Sequence, residues 1–300
     1  MARDPLDRPI VRLRPKAGRR FYGGAPWVYA DEVVMDRRTK AIAPGTVVQL
    51  QDEDRIPQAT FAFNPESGIV GRLLDRDPEA AIDGAWLRAR LASAKALRDA
   101  VAPPGFHRLV HAEADGLPGL VIDRFGDAAV IQPNAAWADV LREEIAEALA
   151  EVAGVSIILI NGTSRARGLE SLPEETILAR GALDAPMEVP MNGALYLADL
   201  VGGQKTGLYF DQRPNHAFVA SLADGAQVLD VFSHVGGFAL AALAKGAASA
   251  LAVDGSQPAL DLAAEAAARM GVAERFETRR SDAFKALDAL AAEEKTFDVV

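Results

Sequence analysis

The sequence predicts a multidomain α/β protein: a small β-rich domain over residues 1–75, an α+β domain over 76–190 and a Rossmann-like domain over 191–300. Three observations predict it. The 300 residues exceed one typical domain. Short strand-like apolar runs separated by Pro- or Asp-bearing turns reach residue 75, and the pattern turns helical from Glu79. Finally, Gln227-Val228-Leu229-Asp230-Val231-Phe232-Ser233-His234-Val235-Gly236-Gly237-Phe238-Ala239 reads as a buried strand, a tight glycine turn and the start of an alanine-rich helix over 238–244.

In the first domain, Ile10-Val11-Arg12-Leu13-Arg14 alternates like a strand with one buried face, and a turn-rich link from Gly18 to Pro26 leads into Trp27-Val28-Tyr29. Further strand signals lie at Thr46–Leu50, Ala59–Phe63 and Ile69–Leu74. In the second domain a helix is expected from Glu79, with Ile82, Trp86, Leu87, Leu91, Ala94 and Leu97 on its apolar side, until Pro103-Pro104-Gly105 stops it. Strands Leu120–Asp123, Ala128–Gln132 and Ser156–Ile160 and a helix over Ala136–Val152 complete that unit. The connection Leu200–Asn215 carries Lys205, Tyr209, Asp211, Gln212 and Arg213 ahead of a helix over Asn215–Leu222. It reads either as a loop with a helix cap or as a flap closing over a cofactor.

The glycine turn is the cofactor element. Asp230 ends its strand, and the next apolar run, Ala250–Val253, ends in Asp254, where a second-strand carboxylate reaches a ribose diol in a Rossmann-like sheet. A nicotinamide cofactor and S-adenosylmethionine both fit this outline. Asp230 separates them, because a carboxylate there repels a pyrophosphate but attracts the cationic ammonium and sulfonium of S-adenosylmethionine. The first two glycines of a G-x-G-x-x-G are also absent, their places held by Phe232 and His234. Asp282 follows a third extended segment, as expected for an acid that accepts from the adenine amino group. The plainer alternative is that Asp230, Asp254 and Asp282 are helix caps at strand ends.

Composition fits a soluble cytoplasmic enzyme: half the residues are apolar, no run approaches the ~20 apolar residues of a membrane span, and the N-terminus is polar. With no cysteine there is no disulfide, thiolate nucleophile or Cys-based zinc site, and the four histidines show no ligand spacing, so no metal is assigned. The net charge of −10 disfavours a protein that coats nucleic acid. Residues 1–40 are nevertheless basic, with ten Lys/Arg against five Asp/Glu. Such a patch suits phosphate binding, although a solvated charged face is the commoner explanation.

Lys205–Arg213, Val228–Phe238 and Val253-Asp254-Gly255-Ser256-Gln257-Pro258-Ala259-Leu260 resemble the RlmI-type ribosomal RNA large-subunit (cytosine-5) methyltransferases. The resemblance extends over the whole chain: Ala25–Tyr29 is similar to the entry of that family's PUA domain, and Glu113–Gly126 and Arg167-Gly168-Leu169-Glu170 to its central domain. It implies a PUA-like RNA-binding domain over 1–75, a central domain over 76–190 and a class I methyltransferase domain over 191–300, with methyl transfer from S-adenosylmethionine to carbon 5 of a cytosine in large-subunit rRNA. That chemistry uses a cysteine thiolate added to carbon 6. Thr296–Val300 is similar to the family's fourth strand, so the sheet is expected to continue past residue 300 and the catalytic cysteine to lie there. His234 and Val235 depart from the family, which usually has an aromatic residue and a threonine at these places.

The expected cofactor set is Asp230, Phe232, Ser233, Gly236, Gly237, Asp254, Ser256, Asp282 and Ala283. Asp254 takes the ribose, the 232–237 backbone the methionine portion, Asp230 the ammonium, and Asp282 with Ala283 the adenine. Lys205, Tyr209, Asp211, Gln212 and Arg213 form the flap facing substrate, while Arg12, Arg14, Lys16, Arg19, Arg20, Arg88 and Arg90, with Lys95, are the expected RNA contacts. Ribosomal RNA is the expected partner, no membrane is, and the assembly state is open, a homodimer included. The competing reading is an RNA-binding assembly factor with a non-catalytic methyltransferase-like domain.

Overall fold

A computed structural model describes residues 8–203 and 207–300. The chain divides into two compact units, residues 1–182 and 183–300.

The first unit holds two sheets. The strands β1 (Ile10–Arg12), β2 (Trp27–Val28), β3 (Thr46–Gln51), β4 (Pro57–Phe63) and β5 (Gly71–Asp75), with the single-turn helices α1 (Arg19–Tyr22) and α2 (Arg37–Lys40), form a sheet of order β1-β3-β4-β5-β2. Val11, Phe21, Val28, Val48, Leu50, Phe61 and Phe63 fill its core. Next come α3 (Gly84–Val101), β6 (Phe106–His111), β7 (Leu120–Phe125), β8 (Ala128–Pro133), α4 (Ala136–Val140), α5 (Arg142–Ala153), β9 (Ile157–Asn161) and β10 (Thr176–Arg180). Their sheet runs β10-β9-β8-β7-β6. Helices α3 and α5 lie together on one of its faces, where Leu87, Leu91 and Leu149 meet Leu109, Ile122, Ile131 and Ile158. Ala62 and Leu74, from the first sheet, belong to this same cluster, so the two sheets share apolar burial.

Three details depart from expectation. Helix α3 starts at Gly84 rather than Glu79, because Asp83 caps it by accepting from Trp86 N at 2.9 Å. The helix expected over 136–152 is two helices split at Leu141. Three consecutive residues of α4, Ala136, Trp137 and Ala138, are buried, whereas α5 buries Ile145, Ala146, Ala148 and Leu149. One straight helix has no single face for both patterns. No strand was expected between 161 and 226, yet β10, β11 (Met187–Met191) and β12 (Ala194–Ala198) are there. Strand β10 is an exposed edge without alternation, and β11 carries Pro190. The hairpin β11–β12 turns on Asn192 and Gly193 at φ 56° and 82°, the turn that Asn-Gly favours.

The second unit continues with α6 (Arg213–Ser221), β13 (Gln227–Val231), α7 (Gly237–Ala244), β14 (Ser249–Asp254), α8 (Gln257–Arg269), β15 (Phe276–Arg280) and α9 (Ala283–Ala292). Strands β13, β14 and β15 are parallel neighbours in that order. Residue 299 runs parallel to β13 on its other side, with Leu229 N donating to Val299 O at 2.9 Å. Strand β13 therefore stands where the strand order reverses, the position at which open α/β sheets bind ligands beyond their carboxyl ends. On one face Leu229, Leu251 and Val253 pack against Ala286 and Leu290 of α9, and α7 and α8 cover the other. Among the described residues no helix is long and apolar enough to cross a membrane.

Candidate functional site

After β13 the chain spends residues 232 to 236 in a turn before α7. Phe232, His234 and Gly236 all have left-handed backbone, at φ 62°, 52° and 82°. This conformation strains a side-chain-bearing residue by ~1–2 kcal/mol. Positions 232 and 234 are those that glycines hold in G-x-G-x-x-G, so the turn keeps the glycine geometry without those glycines. Phe232 is 76% exposed, so no burial of its ring offsets the strain.

Asp230 lies beneath this turn. Only 4% exposed, it accepts at Oδ2 from Ser233 Oγ (2.7 Å), Phe238 N (3.1 Å) and Ala239 N (3.0 Å), which ties strand, turn and helix start together. Burial raises its pKa, and the Ser233, Ala239 and Phe238 hydrogen bonds oppose that rise. Gly237 is confined on two sides. The Tyr196 hydroxyl donates to its carbonyl at 2.9 Å, and a Cβ on residue 237 would come within 2.7 Å of His216 Nε2. The His216 ring meets Phe238 edge-on at 4.5 Å and stacks on Tyr196 at 6.3 Å. Tyr196 and His216 are supports that the sequence pattern did not single out; the Asn192-Gly193 hairpin signal would have located the strand bearing Tyr196.

Asp254, at the end of β14, accepts from His234 N at Oδ2 and from Ser256 N at Oδ1, both at 2.8 Å. Each carboxylate oxygen retains a further lone-pair direction. Ser256 caps α8, accepting from Ala259 N at 3.4 Å. Ser281 N donates to Asp254 O at 3.0 Å, which brings Asp282 alongside. Asp282 is exposed and caps α9 through Oδ1, accepting from Phe284 N (3.1 Å) and Lys285 N (3.2 Å), with Ala283 buried behind it. All three acids thus hold backbone amides, and Asp254 and Asp282 also border the open ends of the strands.

Of the flap residues, Lys205 lies outside the described residues. The Tyr209 ring meets His234 edge-on at 5.3 Å, so the flap reaches the glycine turn. Asp211 is exposed on the short turn Phe210–Gln212. Gln212 accepts from Asn215 Nδ2 at 2.9 Å, and Arg213 opens α6 with its guanidinium 5.7 Å from the Phe210 ring centre. The expected RNA contacts all lie in the first unit and fall into two groups. Arg14 donates to Val33 O, Arg88 pairs with Glu151, Arg90 with Asp75 and Lys95 with Asp99. Arg12, Lys16 and Arg19 are exposed and make no ion pair among the described residues, and exposed Arg20 lies 5.0 Å over the Tyr29 ring.

Comparison with known proteins decides the family. Ribosomal RNA large subunit methyltransferase I of Shewanella amazonensis is 36% identical over 295 residues, which is 97% of this chain and 74% of that protein. The chain belongs to this methyltransferase family. The Cronobacter sakazakii member is 33% identical over 284 residues, covering 92% of this chain and 70% of its own. Residues 11–76 match a model described as PUA-like domain, and residues 215–300 one described as Conserved hypothetical protein 95. Among solved structures, a Streptococcus mutans protein assigned as a SAM-dependent methyltransferase superposes with TM-score 0.78 at 19% identity, covering 97% of this chain and 76% of that one. SMU.776, assigned as a methyltransferase and complexed with SAH, superposes with TM-score 0.80 at 19% identity, covering 97% and 74%. The β-rich PUA-like domain and the class I methyltransferase fold expected from the sequence are both present.

Two outcomes follow from the turn. Phe232→Gly removes left-handed strain while losing little burial, so thermal unfolding of the variant should show it more stable by about 1 kcal/mol. A Phe232→Gly protein that melts at or below the parent temperature would contradict the strain. His216 Nδ1 is buried with no hydrogen-bond partner among the described residues, and desolvation lowers the ring's pKa to about 4, against the opposing pull of Asp211. The unfolded ring takes a proton near pH 6.5, the folded one only near 4, so the unfolded state binds more protons between these values. This contribution therefore lowers stability as pH falls from 6.5 to 4, by about 2–3 kcal/mol. The stability difference between the parent and His216→Phe, from urea unfolding at several pH values, should be flat above pH 7 and change across that window.

Proposed function

We propose that this chain supplies the cofactor-binding and RNA-docking parts of an S-adenosylmethionine-dependent methyltransferase acting on large-subunit rRNA, at carbon 5 of a cytosine. The observation that carries the reading is the turn at the strand-order reversal: left-handed at Phe232 and His234, held from below by Asp230, with Asp254 beside it. The residues fit the cofactor chemically. Residues 230–237 and 254–257 contain carboxylates, hydroxyls and backbone amides but no Lys or Arg to neutralise a pyrophosphate.

Each residue then has a task. The free lone pairs of Asp254 accept the two ribose hydroxyls, and the backbone from Phe232 to Gly237 cradles the methionine portion. Asp282 and Ala283 meet the adenine. Asp230 acts chiefly by holding the Ser233 hydroxyl of the turn and the first amides of α7, and adds negative potential on the ammonium side. The bound cofactor supplies an electrophilic methyl on sulfur. Tyr209, packed on His234, with Asp211, Gln212 and Arg213 faces the RNA side of that pocket. Carbon-5 chemistry also needs a thiolate at carbon 6, and residues 1–300 contain no cysteine to provide it. Family membership supports the rRNA substrate, and the family resemblance supports the cytosine carbon; a cytoplasmic location follows from an rRNA substrate.

RNA reaches a protein of net charge −10 through a local surface, for which the exposed Arg12, Lys16, Arg19 and Arg20 are candidates. Phosphate contacts release counterions, so affinity for rRNA should fall with salt by about 0.7 log units per contact and log unit of salt. Changing Arg12, Arg19 and Arg20 to Glu should weaken rRNA binding and flatten that dependence while S-adenosylmethionine affinity stays unchanged. Unaltered rRNA affinity and salt slope would remove the N-terminal surface from the reading. For the cofactor, Asp254→Ala should weaken S-adenosylmethionine by at least about tenfold, since a charge-assisted hydrogen bond is worth about 1.5–3 kcal/mol. Calorimetric titration showing equal affinity in the folded variant would overturn the site, and preference for NAD over S-adenosylmethionine would overturn the cofactor.

A further inference from the structure

The segments Glu113–Gly126 and Arg167–Glu170 carry family resemblance but contain no residue of the cofactor site. The structure brings their two glutamates together on Arg72, Glu170 buried and Glu113 half-buried. Glu170, 2% exposed, ends a short turn that follows β9. It accepts from Arg72 NH2 of β5 at 2.8 Å, from Ser67 Oγ at 3.0 Å and Asn64 Nδ2 at 3.1 Å in the loop joining β4 to β5, and from Ala136 N of α4 at 3.3 Å. Arg72 also donates to Glu113 at 3.3 Å, and Glu113 accepts from Trp27 Nε1 at 2.9 Å. Two carboxylates from the second half of the unit therefore hold one guanidinium and one indole from the first. The cavity lined by Asn64, Arg72, Trp137 and Glu170 is only ≈ 10 Å³.

A buried ion pair of this kind adds little net stability over an apolar contact of the same shape, because desolvation of the charges cancels most of their attraction. It does specify geometry. Ala62 and Leu74 could pack on the second sheet in several registers, but a carboxylate with four donors is satisfied in one. An arrangement displaced by one residue would leave a buried charge without partners, the costly case.

We propose that Glu170 is a positioning residue: through Arg72, Asn64 and Ser67 it fixes the PUA-like sheet on the central sheet, so that the two meet rRNA as one rigid body. This rests on the rRNA reading above. Loosening the clamp spreads the sheets over several orientations, and affinity falls in proportion to the fraction still competent.

The cysteine-free chain permits a direct test. Labels on Asp54→Cys, in the turn joining β3 to β4, and on Glu147→Cys in α5, both exposed positions, report the distance distribution between the two halves of the unit by pulsed electron resonance. In this background Glu170→Gln should broaden the distribution and weaken binding of transcribed large-subunit rRNA about fivefold or more, with S-adenosylmethionine affinity unchanged. Arg72→Lys, which keeps the charge but cannot bridge both glutamates, should do the same and serves where Glu170→Gln fails to fold. An unbroadened distribution in a folded variant, or a broadened one with undiminished rRNA affinity, overturns the proposal. If the parent's rRNA binding is insensitive to charge reversal at Arg12, Arg19 and Arg20, the rRNA reading fails separately, and the distance distributions still decide whether Glu170 sets the sheet geometry.

Discussion

The second unit depends on one buried carboxylate. A strand, a five-residue turn and a helix meet at Asp230, and a single oxygen of that residue receives a hydroxyl and two backbone amides. Without an acceptor there, the amides of Phe238 and Ala239 would lose their partner, and the turn would be held only by its own backbone bonds and by Asp254, which accepts from His234 N. The carboxylate is costly to bury, and the helix N-terminus whose amides it accepts is the place where a negative charge is best tolerated. Under the proposed reading, the outer side of the turn is left to a ligand that brings positive rather than negative charge.

Charge therefore organises both halves of the molecule in opposite ways. In the second unit a buried acid faces inward to backbone amides and shapes a surface. In the first, Glu170 and Glu113 face inward to Arg72 and shape a junction. A buried arginine works alongside them: Arg167, 1% exposed, donates to Pro133 O, Pro173 O and Asp139, which ties the turn ending in Glu170 to β8 and α4. The exposed cations of residues 12–20 are left over from this pairing, which is why a net acidic chain can still present a basic surface.

Much of this was legible in the sequence because it is periodic or punctuated. Strand β1 alternates, the other long strands of the first sheet are apolar runs between turns, β13 and β14 are apolar runs closed by an acid, and Pro103-Pro104 ends α3. What escaped was decided by tertiary context. The exposed edge strand β10 has no pattern to show, and the break at Leu141 reflects two helices meeting different neighbours. The hairpin β11–β12 was signalled by Asn192-Gly193 but masked by Pro190. At the site, the acids could be found by position, whereas the left-handed backbone of Phe232 and His234 could not, since neither residue type advertises it. Arg90 looks like an RNA contact by charge and spacing, and only its bond to Asp75 shows it is already engaged.

The close approach of Gly237 and His216 has a consequence for how this family can vary. The space that a Cβ would occupy at 237 is taken by an imidazole from α6, so the two positions share one volume. A side chain at 237 is tolerated only where position 216 carries something smaller than histidine, and related chains that lack the glycine are expected to lack the histidine as well. Divergence at the helix preceding the sheet and divergence in the glycine turn are thereby joined: the history of one position is written in the other.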